Sequence, residues 1–123
     1  MVTNSSFQQL AIFEGQTIGA IQKIFSDRYP YLRIDLFRNL ELNGIRITKK
    51  LENAYGLFQL PQTEISLLGD RTVKCLKDDI RKATGLVAKI FRRSGNVWIE
   101  TSLTDDWTLE RQNEEGKLMV PNQ

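Results

Sequence analysis

The sequence of 123 residues contains no histidine and a single cysteine, Cys75. Without histidine there is no imidazole general base, no Cys-His or Ser-His nucleophile pair, and none of the usual zinc ligand sets. One thiol cannot form an internal disulfide or build a metal site. We therefore expect a protein that is not an enzyme, with no catalytic residues, no cofactor and no metal.

Long apolar runs are missing as well. No stretch approaches the roughly 18 residues that cross a bilayer, and the first residues lack the basic and apolar regions of a signal peptide. Glycine-rich phosphate loops of the standard patterns are also absent. These absences predict a cytoplasmic protein with no membrane partner.

Acidic pairs occur twice, as Asp78-Asp79 and Asp105-Asp106. Adjacent residues on a helix point about 100° apart, so they do not converge on one substrate atom. We interpret them as a solvated helix face and a helix start. Cys75 is interpreted as a small residue packed beside the core, because a reactive thiol needs an exposed, electropositive setting.

What the chain does contain is an ordinary globular composition, 41% hydrophobic and 26% charged, of a size that usually makes one domain. We predict a single domain over residues 1–113 and a flexible tail over residues 114–123. Residues 1–101 hold 15 Lys and Arg against 10 Asp and Glu, whereas residues 102–123 hold 2 against 5. The acidic end could mask a basic surface or simply add solubility.

Two segments, residues 7–38 and 64–101, have the same order of strand, helix and strand. Thr17 and Thr72 stand where helix N-caps are expected, and Gly85 can end the second helix. We interpret this as a βαβ unit used twice, although similar amphipathic segments could mimic a duplication. The matching apolar positions are Leu10 with Ile65, Ile12 with Leu67, Ile18 with Val73, Ile21 with Leu76, Phe25 with Ile80, and Leu32, Ile34 and Leu36 with Leu86, Ala88 and Ile90.

Two βαβ units predict an α+β, ferredoxin-like domain in which one antiparallel-type sheet carries both helices on one face. An added strand over 96–101 and a short helix over 104–112 complete it, and Val97 and Ile99 join the predicted core. Other α+β arrangements stay open. In the connector 39–63 we predict a short strand over 44–48, a turn or two of helix over 48–55, and a cover for the core over 57–61.

Residues 86–101 give the strongest local signal: they are predicted to form two strands joined by a turn at Ser94-Gly95-Asn96. An even loop places Ile90 opposite Ile99 and Phe91 opposite Trp98. A three-residue loop with a Gly95 bulge would place Trp98 opposite Ile90, and we disfavour it because Glu100 would then follow Trp98 into the core.

The outer face of this hairpin supplies the candidate binding residues Phe91, Trp98, Lys89 and Arg93. Aromatic and basic side chains on a sheet are similar in kind to the surfaces on which RNA-recognition domains stack bases, although the glycine-rich and aromatic consensus of those domains is absent. Alternatively, the C-terminal segment folds back and places Trp107 or Leu109 over Phe91 and Trp98.

Residues 91–101 and 104–113 resemble the closing signature of a family of small bacterial proteins with no established activity. The motif runs Phe91-Arg-Arg-Ser-Gly-Asn-Val-Trp-Ile-Glu-Thr101, then Thr104-Asp-Asp-Trp-Thr-Leu-Glu-Arg-Gln-Asn113. The resemblance implies that the hairpin and the Trp107 segment form one unit, which favours the fold-back.

Functionally, these features favour a non-catalytic protein-binding or adaptor module that uses the aromatic face and open sheet edges. The alternative is single-stranded nucleic-acid binding through the same hairpin face. Base stacking on Phe91 and Trp98, with phosphates held by Lys89 and Arg93, would carry it.

Overall fold

The computed structural model describes residues 8–52 and 62–121. Within these ranges it confirms a mixed α+β protein. The elements in chain order are β1 (Gln9–Ile12), α1 (Ile18–Arg28), β2 (Leu32–Leu42), β3 (Ile45–Lys50), β4 (Thr63–Ser66), α2 (Val73–Thr84), β5 (Val87–Ser94), β6 (Val97–Glu100), a 3₁₀ turn (Ser102–Thr104) and α3 (Leu109–Leu118).

The strands form two antiparallel sheets rather than the predicted single sheet. One has two strands, β1 and β4, and the other has four strands in the order β3-β2-β5-β6. A ferredoxin-like sheet would place β1 and β4 between β2 and β5, whereas here β2 pairs directly with β5 over Leu32 to Phe37. The alternation within a strand sets which face is apolar but does not select its neighbour, and for this reason the single-sheet prediction was wrong.

The two long helices begin and end where the sequence predicts. The side chain of Thr17 accepts a hydrogen bond from the Ala20 N–H, and that of Thr72 accepts one from the Cys75 N–H. Gly85 ends α2 in the left-handed conformation, with φ of 75°, which an L side chain rarely adopts. With these boundaries, each helix turns its buried apolar residues toward the core.

The core between helices and sheets contains every predicted member except Val97 and Ile99, which are 58% and 39% exposed. These two point to the helix side of β6, but the residues opposite them on β5 are Ser94 and Arg92, which are not apolar. Two residues that were not predicted as core, Tyr29 and Leu109, are buried. Cys75 is exposed, so its predicted burial beside the core was wrong.

The C-terminal helix starts later and runs further than predicted. The Thr108 side chain accepts a hydrogen bond from the Arg111 N–H and so begins α3, whereas the residues from Ser102 form only a 3₁₀ turn. Residues predicted as tail are therefore helical up to Leu118. Gly116 is buried against the chain at Tyr31, which fixes the last turn on the body of the protein.

In the connector, the predicted short strand is present as β3, which follows β2 through the turn Asn43-Gly44. Both turn residues have positive φ, 52° and 79°, as a two-residue hairpin requires. The helix expected over 48–55 is wrong at its start, because Thr48 to Lys50 belong to β3. The rest of that predicted helix and the expected cover at 57–61 lie outside the described residues, apart from Leu51 and Glu52.

Candidate functional site

The hairpin of β5 and β6 closes with the two-residue turn Gly95-Asn96. Its register places Arg93 opposite Trp98 and Phe91 opposite Glu100, which is two residues away from the predicted even register. A slip of two preserves the alternation, so Phe91 and Trp98 share a face as predicted, but as diagonal neighbours.

The side of the four-stranded sheet that points away from the helices is called the outer face here. It brings together four of the five predicted binding residues, Phe91, Trp98, Lys89 and Arg93, whose alternation follows from the strand pairing. Phe91 and Trp98 line an open cleft of about 160 Å³ together with Arg33 and Asp35. The remaining outer-face positions are Phe37, Val87 and Glu100, with Asn39 and Glu41 at the far end of β2 and Arg46, Thr48 and Lys50 on β3.

Cations of the protein itself lie over two of the rings on this face. Lys89 Nζ is 4.7 Å from the centre of the Phe37 ring, and the Arg93 guanidinium carbon is 5.4 Å from that of Trp98. Such contacts contribute about 0.5–1 kcal/mol at exposed sites. One ring face of Trp98 and one of Phe37 are thus already occupied in the free protein.

The sequence reasoning missed Asp35, a carboxylate that is only 6% exposed although it lies on the outer face. Its oxygens accept a hydrogen bond from the Gln22 amide at 3.0 Å and lie 3.4 Å from Arg33 Nε and 3.6 Å from Lys50 Nζ. Lys89 stands directly opposite on β5. Asp35 is thus bound by two ion pairs and an amide hydrogen bond, so it stabilises the outer face.

Trp107, the fifth predicted binding residue, lies on the other side of the sheet. Its ring centre is 3.7 Å from the Arg111 guanidinium carbon and 5.5 Å from that of Arg92. Arg92 alternates with Phe91 and points toward α3, where it donates a hydrogen bond to Gln112 Oε1 at 2.8 Å. The C-terminal segment does fold back, but on the helix side, so the prediction that it covers Phe91 and Trp98 was wrong.

Strand β3 forms one edge of the four-stranded sheet, and all six of its residues are exposed. Within residues 8–52 and 62–121, β2 is the one strand that pairs with it. The Leu51 N–H donates to the Leu36 carbonyl at 2.9 Å, which places the backbone groups of Leu51 on the β2 side. By alternation, the N–H and C=O groups of Arg46, Thr48 and Lys50 point away from the sheet.

The β2–β3 hairpin also exposes apolar side chains on its helix side. Leu42, Ile45 and Ile47 are 55%, 64% and 40% exposed, and register places Leu42 opposite Ile45. Arg46 and Lys50 stand on the outer side of the same strand. The edge thus presents an apolar side that ends at Lys49, a basic side, and between them backbone groups that no other described strand pairs.

A second cleft, of about 440 Å³, lies between β4 and α2. Two of its charged side chains pair with each other: Arg71 lies 2.6 Å from Asp79 and also donates to the Ser66 carbonyl at 3.1 Å. In the described ranges no three His, Cys, Asp or Glu side chains gather into a group that could hold a metal ion.

Comparison with protein-family models, curated proteins and solved structures found no match. The resemblance noted for residues 91–113 therefore leads to no family assignment. In the part of the chain that the structure describes, no helix combines the length and the apolar character needed to span a membrane.

Proposed function

We propose that the chain is a non-catalytic protein-binding module that takes an extended segment of a partner onto strand β3. The observation that carries the proposal is the exposure of all six residues of β3. An open edge offers a partner the same row of main-chain hydrogen bonds that a neighbouring strand would use.

Local geometry supports this reading. The Asn43-Gly44 turn closes the hairpin and aligns β3 along β2 from Ile45 to Lys50. An edge that is already extended loses little conformational freedom when a partner strand is added. Six residues span about 20 Å, enough to hold a segment of five or six residues.

Single-stranded nucleic-acid binding on the outer face remains the rival. The cations Arg33, Lys89 and Arg93 favour it, since phosphate contacts need them. The ring contacts disfavour it, because Arg93 already occupies one face of Trp98 and Lys89 one face of Phe37. Asp35 further lowers the positive charge at the centre of the face.

The proposal is tested with a pair of variants at one position. Thr48→Pro removes an outward N–H that β2 does not use, and edge strands accept proline at such positions. Thr48→Val keeps that N–H, and both variants lose the hydroxyl bond to Asn39. We expect wild-type protein and Thr48→Val to retain the same partner from a lysate of the native cells, and Thr48→Pro to lose it.

Circular dichroism of both variants controls for folding. Equal retention of the partner by Thr48→Pro would contradict binding at β3. Binding of labelled single-stranded oligonucleotides that weakens with salt and is lost in Trp98→Ala would instead support the rival function.

We infer in addition that the chain arose by duplication of a strand-helix-strand unit. Asp35 and Lys89 occupy equivalent positions in the two predicted repeats and face each other in the β2–β5 pair, as Leu10 and Ile65 do in the β1–β4 pair. Pairing of equivalent positions supports an approximate two-fold relation between the halves.

A further inference from the structure

We propose that the segment bound at β3 alternates acidic and apolar residues. This inference rests on the proposed function and specifies its partner. Strand β3 reads Ile-Arg-Ile-Thr-Lys-Lys over Ile45–Lys50, with three cations and no acid. A strand added to it would meet these side chains one for one on each face.

The two faces of β3 favour different residues in the partner segment. On the outer side, Arg46 and Lys50 call for carboxylates at the partner positions opposite them, with the polar Thr48 between. On the helix side, the exposed Ile45 and Ile47 favour apolar partners, which together with Leu42 would leave water on binding. Lys49 follows Ile47 on this side and ends it with a positive charge. A partner with period-two alternation matches both sides from Ile45 to Thr48, and Lys49 adds positive charge at the end of the strand.

The acids of the protein that lie near β3 do not neutralise all of its positive charge. Glu41 lies opposite Arg46 in the hairpin, and Lys50 Nζ is 3.6 Å from Asp35, which also contacts Arg33. Lys49 adds a further cation at the same strand, where no described ion pair involves it. The edge therefore keeps a positive excess that an acidic segment would balance.

A second copy of this chain fits less well. In an antiparallel β3–β3 pair centred on Thr48, Arg46 of each copy stands opposite Lys50 of the other. Like charges directly opposite each other destabilise a strand pair, and lysine on an edge strand commonly prevents such self-pairing. The same residues that disfavour self-association favour an acidic partner.

The test uses fluorescence anisotropy with three labelled heptapeptides. The first alternates valine and glutamate, the second alternates valine and lysine, and the third has the composition of the first but groups its glutamates at one end. We expect the first to bind the wild-type chain at least about tenfold more tightly than the other two, and its affinity to fall as salt is added.

Two kinds of variant locate the site. Thr48→Pro should weaken the valine-glutamate peptide about tenfold or more, while Thr48→Val leaves it unchanged. Arg46→Glu should lower affinity for that peptide and raise affinity for the valine-lysine peptide. This reversal cannot come from unfolding, so it keeps the inference testable even if Thr48→Pro proves unstable. Slower amide exchange at Arg46 and Thr48 on peptide binding would support the same strand.

The outcomes separate the two proposals. Equal binding of the glutamate and lysine peptides, or no binding of either while the native partner is still lost from Thr48→Pro, would overturn the acidic-segment inference alone. Peptide binding and partner retention that both survive Thr48→Pro would overturn the use of β3 and with it both proposals.

Discussion

Tyr29 shows how a single side chain joins the two halves of the chain. It is 1% exposed, its hydroxyl donates a hydrogen bond to the Leu67 carbonyl, and the Arg28 guanidinium carbon lies 4.4 Å from the centre of its ring. Burial raises the pKa of the Tyr29 hydroxyl, against the opposing effect of the Arg28 charge. The residue thus links α1 to the segment after β4 with a bond that depends on its proton.

Replacing Tyr29 by phenylalanine tests this bond. We expect Tyr29→Phe to lower the free energy of unfolding by about 1 kcal/mol near neutral pH, the usual net contribution of a hydrogen bond. Because the folded pKa is raised, the native state holds the proton more strongly than the unfolded chain. Wild-type stability should therefore fall as pH rises above the unfolded pKa of about 10, and Tyr29→Phe should lack that part of the loss.

Urea unfolding of both proteins between about pH 8 and about pH 11 measures the difference. Both proteins contain the same other tyrosines, so the comparison isolates Tyr29. Parallel stability curves over this range would show that the Tyr29 proton is not linked to folding.

The helix α3 packs closely against Tyr31, the residue before β2, and against Arg92 of β5. A Cβ added at Gly116 would lie 2.9 Å from Tyr31 Cβ, 3.0 Å from the Tyr31 carbonyl oxygen and 3.1 Å from Arg92 Cγ. Backbone and Cβ atoms cannot move aside as the end of a flexible side chain can. The approach of α3 to the sheet therefore requires glycine at this position.

Gly116→Ala should destabilise the protein by about 1–3 kcal/mol, the cost of overpacking, even though alanine favours a helix by about 1 kcal/mol over glycine. Gly69→Ala is the matched control. The nearest atom that its Cβ would meet is Glu110 Oε2 at 2.9 Å, which can swing away, although Glu110 Cβ at 3.2 Å must also give slightly. Thermal unfolding compares the two. An increase in stability for Gly116→Ala would mean that α3 lies further from the sheet than described.

The elements also show what the sequence could predict. The boundaries of α1 and α2 depend on local features, a capping threonine and an apolar stripe, and were predicted well. The β2–β5 pairing joins residues that are 50 to 60 positions apart, so no local pattern specifies it. The hairpin register slipped by two because Ser94 belongs to a strand instead of the loop, a choice that depends on turn geometry.

The candidate surface was also predicted only in part, because local patterns predict the face of a strand but not its long-range neighbours. Alternation placed Phe91 and Trp98 on one face, which the structure confirms. Asp35 could be recognised as the centre of that face only once β2 and β5 were paired, since its neighbours come from separate strands. Trp107 carried no signal for which side of the sheet it would occupy, because that depends on the path of the 3₁₀ turn at Ser102–Thr104.

At the scale of the whole molecule, the basic β3 edge predicts how copies of the protein interact. Repulsion between Arg46 and Lys50 across a β3–β3 contact should keep the chain monomeric, with a mass of 14.2 kDa, at low salt. At about 1 M salt the screening length falls to about 3 Å, so any self-association through this edge should increase. Sedimentation velocity at both salt concentrations measures it. A dimer that is present at low salt and dissociates at high salt would contradict repulsion as the controlling term.

The pairing of β1 with β4 has a consequence for synthesis of the chain. Leu10 meets Ile65, and Ile34 meets Ile90, so each sheet joins residues that leave the ribosome far apart in time. At a synthesis rate of about 5–20 residues per second, β4 is synthesised several seconds after β1. During that interval β1 lacks its pairing partner β4, and β2 lacks β5. Nascent chains of the first fifty residues should accordingly need chaperone protection, and native contacts of this high sequence separation should make refolding slow, in the range of milliseconds to seconds.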